Sequence, residues 1–190
     1  MRDFKSMRFQ LSNAFPYLKP IVPEDDPALV MNLEAEDSPV MRPFFGGLLT
    51  SYVVDEGSHF TYVQERHLTT EDCTRAALHA RALANLASSV SKTGVRCHPY
   101  GKIFALTFDG NFEATLMLLD EFWETLELHV GKELLAVAPT RDVLAVGPLE
   151  HAVESELRGV MERARGGDHA LNEDLYHRSA GTWRVARSSR

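Results

Sequence analysis

Four times along this chain, two short runs rich in β-branched and aromatic residues flank a turn of two to four residues. The first pair is Leu48 to Val54 and Phe60 to Val63, around Asp55-Glu56-Gly57-Ser58. Val95 to Pro99 and Ile103 to Phe108 follow around Tyr100-Gly101, then Leu134 to Val137 and Val143 to Val146 around Pro139-Thr140-Arg141-Asp142. Leu175 to His177 and Thr182 to Val185 close the series around Ser179-Ala180-Gly181. Runs joined so tightly can only be antiparallel neighbours, which excludes the parallel sheets of most nucleotide-binding folds.

Helical periodicity fills the intervals. Thr69 and Asp72 have the form of a capping box, and Cys73, Ala76, Ala80, Leu83, Ala87 and Val90 share one helical face after it. A second apolar stripe combines Phe112, Leu116, Leu119, Phe122, Trp123 and Leu126. The third follows Gly147-Pro148 with Leu149, Val153, Leu157, Val160, Met161 and Ala164, and ends at Gly166-Gly167. Three helices, each apolar on one side, need a common surface to cover. The expected fold is therefore α+β: an antiparallel sheet built from successive β-hairpins, alternating with amphipathic helices packed on it. One sheet face is free to stay open to solvent or a partner.

At 190 residues, a single domain buries roughly 70% of its unfolded surface, and residues 47–186 are assigned to it. Residues 1–46 are expected to form an irregular arm, because Pro16, Pro20, Pro23, Pro27, Pro39 and Pro43 each remove an amide donor. A short helix around residues 28–33 is compatible with the pattern, and Phe44-Phe45 should pack on the body rather than form an exposed patch. Residues 187–190 make a basic tail, the end of a segment in which Arg178, Arg184, Arg187 and Arg190 face no acid beyond Asp174.

The net charge of −7 argues against a phosphate-backbone binder, which needs a basic face, so nucleic acid is an improbable partner. Two cysteines, Cys73 and Cys97, form neither a disulfide framework nor a CxxC pair. The Met1-Arg2-Asp3-Phe4-Lys5 start leads into no apolar signal core, and eighteen consecutive apolar residues occur nowhere. A cytoplasmic protein without a membrane partner is expected.

The runs GLLTSYVVDEG from Gly47, ALANL from Ala82, FDGNFEATLMLLDEFWE from Phe108, LAVAPTRDVLAVG from Leu135 and GDHALNEDLYHRSAGTW from Gly167 together resemble the YtpQ-like bacterial family. The similarity covers roughly the last three quarters of the chain, with the motifs in the family's order. It implies a cytoplasmic bacterial protein of a domain family of unknown function, and brings no established activity, cofactor or catalytic residue.

Two groups of residues are candidates for function. On a regular helix from Phe112, the acids Glu113, Asp120, Glu124 and Glu127 return to one direction opposite the apolar stripe. They make either a docking face for a basic partner, a loose cation site, or an ordinary solvated helix face. The second group is Asp109, Asn111, Arg141, Asp142 and His169, which lie in turns at the ends of predicted elements. These types serve in acid–base catalysis and anion binding, and equally in turns and caps.

No metal or cofactor is expected. The eight histidines, His59, His67, His79, His98, His129, His151, His169 and His177, show no paired ligand spacing. Cys97 and His98 are neighbours on a strand, so their side chains point to opposite faces and cannot form a nucleophile–base pair. The chain has no GxSxG elbow, GxGxxG or GxxxxGK[ST] loop. The first expectation is a non-enzymatic macromolecule-binding or adaptor module, acting on a protein partner or by self-association. The alternative is a small hydrolase or transferase whose site is assembled from the loop ends.

Overall fold

A computed structural model describes residues 9–21 and 33–186. The helix expected around 28–33 falls outside these residues apart from Leu33, and so does the basic tail. The fold is α+β with antiparallel pairing throughout, but the strands form two sheets instead of one. Short-range turns join some neighbouring strands and longer connections join the rest, and a layer of helix and 3-10 turn packs against both sheets.

The first sheet contains β1 (Ala14–Pro20), β2 (Met41–Pro43), β3 (Leu48–Asp55) and β4 (Phe60–Tyr62). Strand β3 lies at its centre, pairing with β1 on one side and with β2 and β4 in succession on the other. The segment expected to be irregular thus supplies two strands. Proline is tolerated in β1 because the strand is an edge, where a missing amide leaves no neighbour unpaired. Helices α1 (Glu65–Thr70) and α2 (Arg75–Thr93) follow. The N-cap of α2 is Thr74, whose hydroxyl accepts from Ala77 N at 3.1 Å, rather than Thr69. The expected face is met in part: Leu83, Ala87 and Val90 pack half-buried against the core, but the fully buried residues are Leu78, Ala82 and Leu86, and Ala76 and Ala80 are exposed. Leu78 and Ala82 pack with Leu11, Ala14, Tyr52 and Val54 on the outer side of the first sheet.

The second sheet has six strands in the order β10-β9-β7-β8-β6-β5. These are β5 (Arg96–Tyr100), β6 (Ile103–Thr107), β7 (Leu134–Thr140), β8 (Val143–Pro148), β9 (Leu175–Ser179) and β10 (Thr182–Val185). Between β6 and β7 the chain makes a 3-10 turn at Ala114–Leu118 and then α3 (Asp120–Val130). Helix α4 (His151–Ala164) joins β8 to β9. Alternation along the strands divides their side chains. Leu135, Val137, Ala145 and Ile103 meet Val153, Leu157 and Met161 of α4 on one face. Leu134, Ala136, Leu144, Val146, Leu106 and Tyr176 point the other way. There they join Trp123, Leu116 and Met117 and the inner side chains Leu18, Leu48 and Val53 of the first sheet. This cluster is the largest in the molecule and binds its two sheets into one body. Among the described residues no helix is long and apolar enough to cross a membrane.

Candidate binding groove

The acidic stripe is dismantled by a break in the helix that was expected to carry it. The backbone is 3-10 through Leu118 and leaves helical geometry at Leu119, held there by a hydrogen bond from Trp123 Nε1 to Leu116 O at 2.7 Å. Glu113 therefore lies outside α3, only 2% exposed. Its Oε1 accepts from Phe108 N and Gly110 N at 2.9 and 2.7 Å. Asp120 and Glu127 turn to Arg178, which donates from Nη1 and Nε at 3.1 and 2.7 Å. Arg178 was placed in a basic terminal segment by its position in the chain, yet it is fully buried under the Trp183 ring, 5.6 Å from its centroid. Glu124 remains exposed. Two of the four acids thus anchor α3 to β9 and one closes a loop.

The loop-end residues are brought together by backbone and separated by side chain. Ala114 N donates to Arg141 O and Arg141 N to His169 O, at 3.0 and 3.2 Å, so three connecting loops meet at one end of the second sheet. Asp109 Oδ1 is engaged as a turn cap, accepting from Asn111 N and Phe112 N. Arg141 Nη1 donates to the Tyr17 hydroxyl, toward the first sheet. Asp142 lines a groove on the opposite, α4 side, and His169 is exposed with a positive φ of 61°. Among the described residues no hydrogen bond or ion pair joins the side chains of any two of these five. Glu113 Oε2 and Arg141 Nε are each buried without a partner.

The groove reached by Asp142 follows from how far α4 extends across the sheet. Its buried residues, Val153, Leu157 and Met161, are centred on β7 and β8. Strand β5, at the sheet edge, is exposed at all five positions. Register places Tyr100 opposite Ile103 and His98 opposite Ala105, so these four side chains share the face on which α4 lies. The resulting cleft has a volume of about 390 Å³ and an apolar floor of Ile103, Ala105, Val143 and Ala145. Val160 and Arg163 form its helix wall; Tyr100, His98 and Thr107 form its strand side. This size lies toward the lower end of the range for ligand clefts, ~300–1,000 Å³.

Two local features hold the cleft open. The Tyr100–Ile103 hairpin turn is tied to α4 by Lys102 N donating to Glu156 Oε2 at 2.8 Å. Gly101 in this turn has φ +59°, a left-handed conformation that favours glycine, and a Cβ there would press on the tip of the Glu156 side chain. The second feature is Gly159, inside α4. A Cβ there would meet only the tip of Arg163, at 3.4 Å. The Arg163 guanidinium beside it lies 5.6 Å from the Tyr100 ring centroid. Tyr100 is 59% exposed, a large aromatic surface left at the cleft rim. His98 Nε2 is 2.9 Å from Thr107 Oγ1, which fixes the imidazole against β6. Cys97 points to the other face of β5, and partial burial raises its thiol pKa, which disfavours a reactive thiolate.

Of the nine candidate site residues read from the sequence, only Asp142 lines this cleft, and His98, weighed there only as a metal ligand or a base for Cys97, lines it too. Tyr100, His98 and Arg163 were missed as a group because they come from a hairpin and a helix about sixty residues apart. One signal was present: a glycine in the middle of an otherwise regular helix is unfavourable by roughly 0.5–1 kcal/mol relative to alanine and calls for a local reason. Comparison with known protein families, with curated proteins and with solved structures finds no match.

Proposed function

We propose that this chain is a non-enzymatic binding module that receives an apolar side chain of a protein partner in the cleft between α4 and the β5–β6 hairpin. On this proposal it is a cytoplasmic protein grouped with the YtpQ-like proteins that its motifs resemble. The observation that carries the reading is the uncovered strip of sheet: an apolar floor, a preset width and an exposed aromatic rim, with no side chain of the described residues filling it. Patches of this kind, rimmed by polar groups, are the usual mark of recognition surfaces. Strand addition at the β5 edge is a poorer route, because Pro99 removes one of the few amide donors that a short edge strand could offer.

A peptide-display selection tests the proposal. Wild-type protein should enrich a family of related sequences, and the half-buried groove residue Ala105 gives the control. The Ala105→Leu variant should lose this enrichment while keeping its thermal unfolding midpoint. Identical enrichment on both proteins would place the binding surface elsewhere.

The hydrolase or transferase alternative is supported by the convergence of three loops and by the buried, unpartnered atoms of Glu113 and Arg141. It is weakened by the commitment of Asp109 to a turn cap and of Arg141 to Tyr17, with Asp142 on the other side of the sheet.

A further inference from the structure

The cleft carries two opposite charges that do not satisfy each other. Arg163 and Asp142 both line it, yet among the described residues neither makes an ion pair, with the other or with any third group. Arg163 therefore keeps its charge free for an occupant of the cleft. Its guanidinium carbon lies 5.6 Å from the centroid of the Tyr100 ring at the cleft rim. A guanidinium can make a planar two-point contact with a carboxylate through its N–H edge. Asp142 is an acceptor only, so it asks the occupant for a donor such as a backbone amide.

Resting on the groove reading above, we infer that the cleft recognises a peptide segment in which a bulky apolar residue is followed by a carboxylate: the apolar side chain occupies the Ala105 floor, the carboxylate meets Arg163, and a backbone N–H meets Asp142. A fatty acid would supply the apolar part and the carboxylate but no donor for Asp142. The small volume also suits a side chain better than a long acyl tail. The other titratable groups lining the cleft are the Tyr100 phenol, which carries no positive charge, and His98, whose Nε2 is directed at Thr107, so the carboxylate-binding role falls to Arg163.

The probe is N-phenyl-1-naphthylamine, an uncharged dye whose fluorescence rises in apolar clefts. Displacement is measured with acetyl-Phe-Leu-Asp-amide, with acetyl-Phe-Leu-Asn-amide and with dodecanoate, on wild type, Arg163→Gln and Ala105→Leu. The Asp peptide should displace dye from wild type at roughly tenfold lower concentration than the Asn peptide, as expected for one charge-assisted contact. Arg163→Gln, with displacement expressed relative to its own dye affinity, should abolish the difference between the peptides. Equal displacement by the two peptides on wild type, or a difference that survives Arg163→Gln, overturns the inference and leaves the groove standing. Displacement by dodecanoate alone overturns the peptide assignment. A dye that fails to bind, or that binds Ala105→Leu equally well, removes the groove reading and with it the inference.

Discussion

The two ends of the six-stranded sheet are finished in opposite ways. At the β10–β9 end, Trp183 stacks parallel to Phe45 at 6.3 Å and meets Trp123 edge-on at 4.8 Å. Arg178 lies beneath it, anchored to Asp120 and Glu127. The N-terminal segment is fastened over this end by Asn172, which donates to Gly46 O at 2.8 Å and accepts from the Tyr176 hydroxyl at 2.6 Å. Gly46 has φ +60°, and a Cβ there would lie 2.7 Å from the Tyr176 ring, so the close crossing depends on glycine. The β5 end carries no comparable cover. One sheet thus has a terminus spent on stability and another left to offer contacts.

Substitutions should separate these roles, the largest effects falling at the closed end. Trp183→Ala removes a ring packed against two aromatics and an arginine, and should cost about 3–5 kcal/mol in denaturant unfolding. Glu127→Gln leaves a fully buried guanidinium paired only with the largely exposed Asp120, and a loss of about 3 kcal/mol is expected by the same measurement. A change below 1 kcal/mol would show that α3 is held by its apolar face alone.

At the open end, Gly159→Ala should raise stability by roughly 0.5–1 kcal/mol, since the added methyl restores helix propensity and meets only Arg163. Tyr100→Ser, at an exposed rim, should stay within about 0.5 kcal/mol of wild type in thermal unfolding while reducing dye binding. A large loss of stability there would mean that the rim is structural and the contrast between the two ends is lost.

Charge gives a finer test of the closed end. Burial raises the carboxyl pKa of Asp174, beside Gly46 and Tyr176, above the usual carboxylate value. The folded state therefore binds more protons than the unfolded one between the two pKa values, and stability falls as pH rises through that window. Asp174→Asn should accordingly be more stable than wild type at neutral pH and lose this advantage in acid, a sign readable from unfolding midpoints at the two pH values.

The hairpins were legible because a turn and its two strands are contiguous, and the observed pairs β3–β4, β5–β6, β7–β8 and β9–β10 follow the predicted turns. Strand β1 was hidden by Pro16 and Pro20, whose cost disappears at an edge that the sequence does not reveal. The break at Leu119 was invisible to periodicity, because the apolar residues from Phe112 to Leu126 fit one continuous helix and only the Trp123 indole bond to Leu116 decides otherwise. The acidic stripe failed for the same reason, compounded by Arg178, whose partners are 51 and 58 residues away. Within the cleft, Asp142 was identifiable by type and position. Arg163 became meaningful only once Tyr100 was seen against it.

The strap from Lys102 N to Glu156 has a kinetic consequence for anything that lodges beside it. Because the hairpin tip is moored to the helix before a visitor arrives, the slot does not have to be pried apart or assembled on contact. Capture should then be governed by diffusion and orientation, without a slow opening step, and the strength of the complex by how quickly the visitor escapes.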